Sequence, residues 1–199
     1  MAPGDVYNPG RIMLANLRAL FGVVVDIVLL RRGPEHLPAS PTLLGIAIGT
    51  YLALYAMFTV LMPNALPDWA LFLIATTAFV LLWFRISLVL AKKPERFVQT
   101  TTAYFAATSL FLPLLVPLES VLRPYLASQE AMRSAPAMLV LSGAAIGIWG
   151  LVVQSHVVRN AFEWNLFRGI LFILAMNFLS ALMLGLVFGV PQSGATTGP

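Results

Sequence analysis

The chain has 199 residues, of which 59% are hydrophobic and only 10% are charged, whereas about a quarter of the residues in a soluble protein are charged. This composition excludes water as the main solvent of the chain and predicts membrane lipids as its surroundings. The net charge of +4 comes from short segments without a long basic run, so we exclude nucleic acid as a partner and expect contact with anionic head groups on the cytoplasmic side.

Residues 1–40 form the first predicted unit, a cytoplasmic segment that contains an amphipathic helix. At 100° per residue, Arg11, Arg18, Asp26 and Arg32 fall within roughly a third of a helical turn, and apolar residues cover most of the remainder. This pattern predicts either a helix that lies on the membrane or a helix that docks against the transmembrane helices. The polar stripe is narrow, and it does not separate these two arrangements.

Five long apolar stretches follow, at residues 41–62, 69–91, 97–118, 136–158 and 166–190. Each is close to the roughly 20 residues that cross a hydrocarbon core of about 30 Å, and lipid requires the backbone to be hydrogen-bonded within the span. We therefore predict an all-α fold, a polytopic membrane helix bundle of five transmembrane helices with an N-terminal amphipathic interfacial helix. Ser40 and Pro41 predict the start of the first span, and residues 191–199 are predicted to form a disordered external tail.

The basic residues fall on alternate sides of these stretches. Four lie in the N-terminal segment, four at the second connection and two at the last one, which places ten of the 12 lysines and arginines on one side. Basic residues favour the cytoplasmic side of a membrane. We therefore expect an integral membrane protein, of a bacterial-type inner membrane, with a cytoplasmic N-terminus and an external or periplasmic C-terminus.

A set of polar residues shares the predicted cytoplasmic half of the spans. Its members are Arg85, Gln99, Thr101, Gln154, His156 and Glu163. An ionisable residue inside a span is a functional candidate by default, so one hypothesis is a polar vestibule open to the cytoplasm. The alternative is that these are ordinary residues of helix ends, with Arg85, about 9 Å from the inner end of its span, snorkelling to the interface.

A second set of residues predicts contacts between helices. Its members are Gly45, Gly49, Gly143, Gly147, Asn177, Gly185 and Gly189. Glycines four residues apart let helix backbones approach, and an amide in the middle of a span needs a partner on another helix. For Asn177 the candidate partners within the chain are Thr50, Tyr51, Ser109 and Ser142. The spacing does not separate contacts within the chain from those of a homodimer.

Catalytic signatures are missing from the sequence. It contains two histidines, His36 and His156, no cysteine, no HExxH motif, no glycine-rich phosphate loop and no paired carboxylates inside a span. We therefore expect neither an enzyme nor a metal or cofactor site. The expected role is that of an adaptor, organiser or assembly partner, bound to another membrane protein or to further copies of itself, and the alternative is a small transporter or channel component.

The order of parts resembles a known family. Residues 29–40, LLRRGPEHLPAS, lead from the N-terminal segment into the first span, and five spans with short turns follow. Over residues 14–190 this arrangement is similar to the Yip family of five-span membrane proteins, including its bacterial members. The resemblance implies a non-catalytic membrane adaptor or organiser, and it assigns no binding residue.

Overall fold

The computed structural model describes residues 9–61, 69–126 and 128–188. Within these ranges it contains seven α-helices and two 3₁₀ turns. The helices are α1 (Pro9–Val28), α2 (Pro41–Leu61), α3 (Trp69–Leu90), α4 (Phe97–Leu126), α5 (Gln129–Ser134), α6 (Ala137–Phe162) and α7 (Leu166–Phe188), and the turns are Pro34–His36 and Pro94–Arg96. The predicted tail at residues 191–199 and Gly189 lie outside the described residues.

Five of these helices, α2, α3, α4, α6 and α7, are long and apolar enough to cross a membrane. The 22 residues of α3 extend about 33 Å at 1.5 Å per residue, which exceeds the roughly 30 Å of a hydrocarbon core. The predicted all-α fold with five spans is therefore confirmed, and the chain is an integral membrane protein. Two spans continue past their predicted ends: α4 extends to Leu126 and α6 extends to Phe162.

The starts and ends of the helices follow from local chemistry. Ser40 accepts a hydrogen bond from the backbone N–H of Leu43 at 3.3 Å, and Pro41 occupies the first helical position of α2, where its missing N–H costs nothing. At the end of α6, Glu163 adopts the left-handed conformation with φ of 60°. This conformation reverses the chain and allows α7 to begin at Leu166 and run back beside α6.

The helix α4 lies at the centre of the bundle, where it contacts α1, α2, α3 and α6. Its residues 100–105 are all buried. Three of them are consecutive threonines whose hydroxyl groups donate to the carbonyl oxygen four residues earlier, at 2.6 to 2.7 Å. Because each hydroxyl is satisfied within its own helix, this polar segment is buried without a hydrogen bond to a neighbouring helix.

Aromatic side chains fill the space between α3, α4, α6 and α7. Phe84 is fully buried, and its ring centroid lies 5.3 Å from that of Tyr104 and 5.8 Å from that of Phe172. The Phe172 ring in turn lies 5.3 Å from that of Phe162. Aromatic pairs at such separations stabilise packing beyond the area they bury, so this cluster is the main core of the bundle.

The N-terminal helix α1 packs against α4 and α6. Ile27 near its C-terminal end is fully buried together with Leu37, Ala103 and Val157. The chain then turns at Leu30, which has φ of 60°, and returns to the start of α2. Of the two predicted arrangements, the C-terminal half of α1 therefore adopts the docked one.

Candidate functional site

The end of the bundle where α3 and α6 finish and α2, α4 and α7 begin is called the basic end below. An ionic cluster of Lys93, Arg96 and Glu163 lies there. Lys93 Nζ is 2.7 Å from Glu163 Oε2, and Arg96 Nη2 is 2.6 Å from Glu163 Oε1. The cluster joins the turn between α3 and α4 to the turn between α6 and α7, although these turns are about 70 residues apart.

The same two cations also bind the backbone at the end of α6. Arg96 Nη1 donates to the carbonyl oxygens of Asn160 and Ala161 at 3.2 and 3.0 Å, and Lys93 Nζ donates to that of Phe162 at 3.3 Å. The last carbonyls of a helix have no partner within the helix and carry the negative end of its dipole. Lys93 and Arg96 therefore cap α6 from a different part of the chain.

The hydrogen bonds that Lys93 and Arg96 donate to the exposed Glu163 carboxyl lower its pKa from the usual 4.5, and the positive charges of the two side chains lower it further. The ion pairs therefore stabilise the fold fully above pH 4.5, and this contribution is lost as the pH falls through the lowered pKa. We expect Glu163→Gln to lower the thermal midpoint Tm at pH 7, and the difference from the wild-type Tm to shrink below pH 4.5. Thermal unfolding of both proteins in detergent, at pH 7 and at pH values below 4.5, measures the two Tm values.

The matched control for this prediction is Glu95→Gln. Glu95 lies in the 3₁₀ turn of the same connection and is exposed, and it forms no ion pair within the described ranges. Its substitution is expected to leave the Tm nearly unchanged at each pH. A Glu163→Gln variant with the wild-type Tm at pH 7 would contradict a stabilising role for the cluster.

His156 on α6 is buried and anchors the connection between α1 and α2. Its Nε2 lies 3.0 Å from the carbonyl oxygen of Arg32 and 3.0 Å from the side-chain amide of Asn160. Each nitrogen of a neutral imidazole carries either a hydrogen, and then donates, or a lone pair, and then accepts. A hydrogen bond to the Arg32 carbonyl requires Nε2–H, and in that tautomer Nε2 has no lone pair for the Asn160 Nδ2 that faces it.

A second hydrogen bond holds the same connection. Gln99 Nε2 on α4 donates to the carbonyl oxygen of Leu37 at 2.8 Å. Together with His156, it satisfies two backbone carbonyls of an irregular segment at the edge of the bundle, where an unpaired carbonyl is costly. These two members of the predicted vestibule thus bind backbone atoms of the chain itself.

The other members of the predicted vestibule lie apart. Arg85 is exposed, with its guanidinium carbon 5.6 Å from the ring centroid of Phe97 at the start of α4. Thr101 is fully buried, and Gln154 is partly buried. Gln99 borders a pocket of about 10 Å³, which is about the volume that one water molecule needs. A vestibule formed by the whole set stays a prediction.

The predicted helix-packing glycines fall into two groups. A Cβ added to Gly143 would lie 2.9 Å from Leu122 Cδ1, so this glycine admits a neighbouring side chain. Gly45, Gly49 and Gly147 are exposed and would meet nothing within 4 Å. These three face away from the described part of the chain, and they do not pack its helices together.

Sequence reasoning missed a close approach of two helices that a glycine permits. A Cβ on Gly169 of α7 would lie 2.6 Å from the backbone carbonyl oxygen of Ser155 on α6. Real Cβ atoms essentially never come so close to another heavy atom. Gly169 therefore sets the separation of α6 and α7 near the basic end.

Asn177 lies at the middle of α7 and is exposed. Within the described ranges its amide makes no hydrogen bond, so the bond to Thr50, Tyr51, Ser109 or Ser142 expected from the sequence is not formed there. Ala181 is exposed one turn later, and Gly185 is partly exposed another turn later. The residues Asn177, Ala181 and Gly185, four apart, form a stripe that we call the outer face of α7.

Comparison of the chain with known protein families, with curated proteins and with solved structures finds no match. The function is therefore inferred from the residues themselves. Two features bear on it, the hydrogen-bonded basic end and the outer face of α7.

Proposed function

We propose that this integral membrane protein is a non-catalytic adaptor or assembly partner, and that the outer face of α7 binds a transmembrane helix of another membrane protein or of a second copy. The exposed amide of Asn177 at the middle of a span is the observation that carries the proposal. Its depth is about 17 Å from either end of α7 at 1.5 Å per residue, too far for a short side chain to reach water. In lipid, an amide at that depth gains most from a hydrogen bond to another helix.

The residues around Asn177 support a helix as the partner. Ala181 and Gly185 continue the stripe with small side chains, so a second backbone can approach closely enough for the amide to reach it. Phe178 and Leu182 beside the stripe are exposed and supply apolar contacts. An adaptor role is also what the resemblance to the Yip family implies.

Assembly is favoured over transport because polar side chains at the basic end are already engaged. His156, Gln99, Arg96 and Lys93 bind backbone carbonyls, and the three threonines of α4 bind their own helix. A transport pathway needs polar groups that are free to bind a solute. We further propose that the basic end faces the cytoplasm, in accord with the excess of basic residues there.

A photocrosslinking amino acid at position 181 tests the proposal in native membranes. We expect a crosslink from Ala181 to a protein of defined mass, and we expect Asn177→Leu to weaken the complex about fivefold, since one interhelical hydrogen bond contributes about 1 kcal/mol. The readout is the crosslinked fraction on a denaturing gel. A product of twice the chain mass identifies a second copy as the partner.

The matched control is the same amino acid at Ala175. This alanine is also exposed on α7, but six residues away and therefore about 120° around the helix. It is expected to crosslink to lipid. Lipid products alone at both positions would reject the outer face of α7 as the binding surface. An undiminished crosslinked fraction at Ala181 in Asn177→Leu would reject a hydrogen bond from the Asn177 amide to the partner.

A further inference from the structure

A deep apolar groove runs between α1 and α2 with α4 as its floor. Its volume is about 410 Å³, within the range of small-molecule sites. Leu17 and Phe21 of α1 form one wall, Ile46 and Leu54 of α2 form the other, and Ala106 lies in the floor. Leu17 and Phe21 are 51% and 59% exposed, so the groove opens sideways from the bundle.

The chemistry of the lining restricts what the groove can hold. Of the 14 lining residues, the polar ones are Thr50, Thr102 and Ser109. The hydroxyls of Thr102 and Ser109 donate to carbonyl oxygens of their own helix at 2.7 and 2.8 Å. The groove therefore offers a ligand few donors, and a polar solute would lose its hydration without compensation. Hydrocarbon is the chemistry that fits.

The position of the groove identifies the source of that hydrocarbon. On α2 the lining extends from Leu43, two residues after the start of the helix, to Leu54. At 1.5 Å per residue this is about 17 Å, or about half of a 30 Å hydrocarbon core. The groove thus covers the depth of one leaflet, beginning at the basic end.

Charge at the mouth of the groove indicates the head group. Leu37 lies at this mouth, in the same connection as the exposed Arg31 and Arg32. Two acidic residues, Asp26 and Glu35, balance the two arginines in formal charge, but Asp26 pairs with Arg32 at 3.2 Å and Glu35 lies 3.4 Å from His36. The exposed Arg31 forms no ion pair within the described part of the chain, so its guanidinium can bind a phosphate. Each basic residue near a membrane surface attracts anionic lipid by about 1 kcal/mol.

We propose that the groove between α1 and α2 binds one acyl chain of an anionic phospholipid from the leaflet at the basic end, with its phosphate beside the arginines of the connection between α1 and α2. The lipid fills the space between two helices that both pack against α4, and so it forms part of the wall of the folded bundle. This site is separate from the outer face of α7 and does not depend on the assembly role.

Native mass spectrometry of the full chain, released from detergent after incubation with phosphatidylglycerol or with phosphatidylcholine of the same chain length, tests the proposal. We expect one retained phosphatidylglycerol and about fivefold weaker retention of phosphatidylcholine. Ala106→Phe places a ring in the floor of the groove and is expected to reduce the retained phosphatidylglycerol about fivefold. Ala53→Phe is the control, because Ala53 is exposed on α2 outside the groove.

A second variant keeps the test valid if Ala106→Phe does not fold. Leu17→Ala with Phe21→Ala removes exposed side chains from the open wall and is expected to reduce retention without changing the far-ultraviolet circular dichroism spectrum. Equal retention of both lipids, or equal retention by the groove and control variants, would overturn the proposal. Two further outcomes would also overturn it, because each assigns the groove to another occupant. Retention that appears only after deletion of residues 2–8 would indicate the N-terminal residues, and a dimer that Ala106→Phe disrupts while lipid retention stays unchanged would indicate a second copy of the chain.

Discussion

The variant Gly169→Ala is expected to destabilise the bundle by up to about 2 kcal/mol. The added Cβ would lie 2.6 Å from the backbone carbonyl oxygen of Ser155, and a backbone atom cannot rotate away as the end of a side chain can. The helices α6 and α7 must therefore separate, and overpacking of this kind costs about 1–3 kcal/mol. The gain in helix propensity from glycine to alanine, about 1 kcal/mol, offsets part of it. Reversible unfolding by SDS in mixed micelles measures the difference.

The matched control is Gly150→Ala. Gly150 is also buried, and it lies on α6, but a Cβ there would meet nothing within 4 Å. Alanine should therefore leave the free energy of unfolding unchanged or raise it slightly through helix propensity. Equal effects of the two substitutions would show that the close approach at Gly169 does not limit the packing of α6 and α7.

The importance of Gly169 could not be predicted from the spacing of small residues. Its neighbours four positions away are Asn165 and Ile173, so no glycine pair points to it. Gly45 and Gly49 show the reverse case, because they have the favourable spacing and yet face away from the described part of the chain. Spacing marks a helix face that permits close approach, and the position of the neighbouring helix decides whether the approach occurs within the chain.

The number of spans was accessible from the sequence for a different reason. Lipid requires each crossing segment to be long, apolar and helical, and these are local properties. The docking of α1 depends instead on Ile27 meeting Ala103 and Val157, and the His156–Arg32 bond joins residues 124 positions apart. No local pattern encodes such pairings, so the two arrangements of α1 could not be separated before the structure.

The same distinction applies to the candidate sites. The polar residues of the basic end could be identified individually, because ionisable and amide groups are rare in spans. Their partners could not, since Gln99 and His156 bind backbone carbonyls, which every residue possesses. For Asn177 the need for a partner helix could be predicted, whereas its outward direction depends on how α7 is rotated in the bundle.

Phe84→Ala is expected to lower the free energy of unfolding by about 2 kcal/mol. In a soluble protein the loss would be about 3–5 kcal/mol, because it combines a transfer term with a cavity term. Here the unfolded helices stay in an apolar solvent, so most of the transfer term disappears and the cavity term remains. Phe84 is fully buried between Tyr104 and Phe172, so both rings lose contacts. Unfolding by SDS in mixed micelles measures this loss.

Phe167→Ala separates the cavity from the loss of an aromatic ring as such. Phe167 lies on α7 and is 65% exposed, so lipid or detergent fills the space that alanine leaves, and the free energy of unfolding should change by less than about 0.5 kcal/mol. A loss at Phe167 as large as that at Phe84 would contradict the assignment of the aromatic cluster as the core. Both variants replace phenylalanine with alanine in the same apolar surroundings. The difference between their free energies of unfolding therefore measures how much packing between helices, rather than exclusion from water, stabilises this bundle.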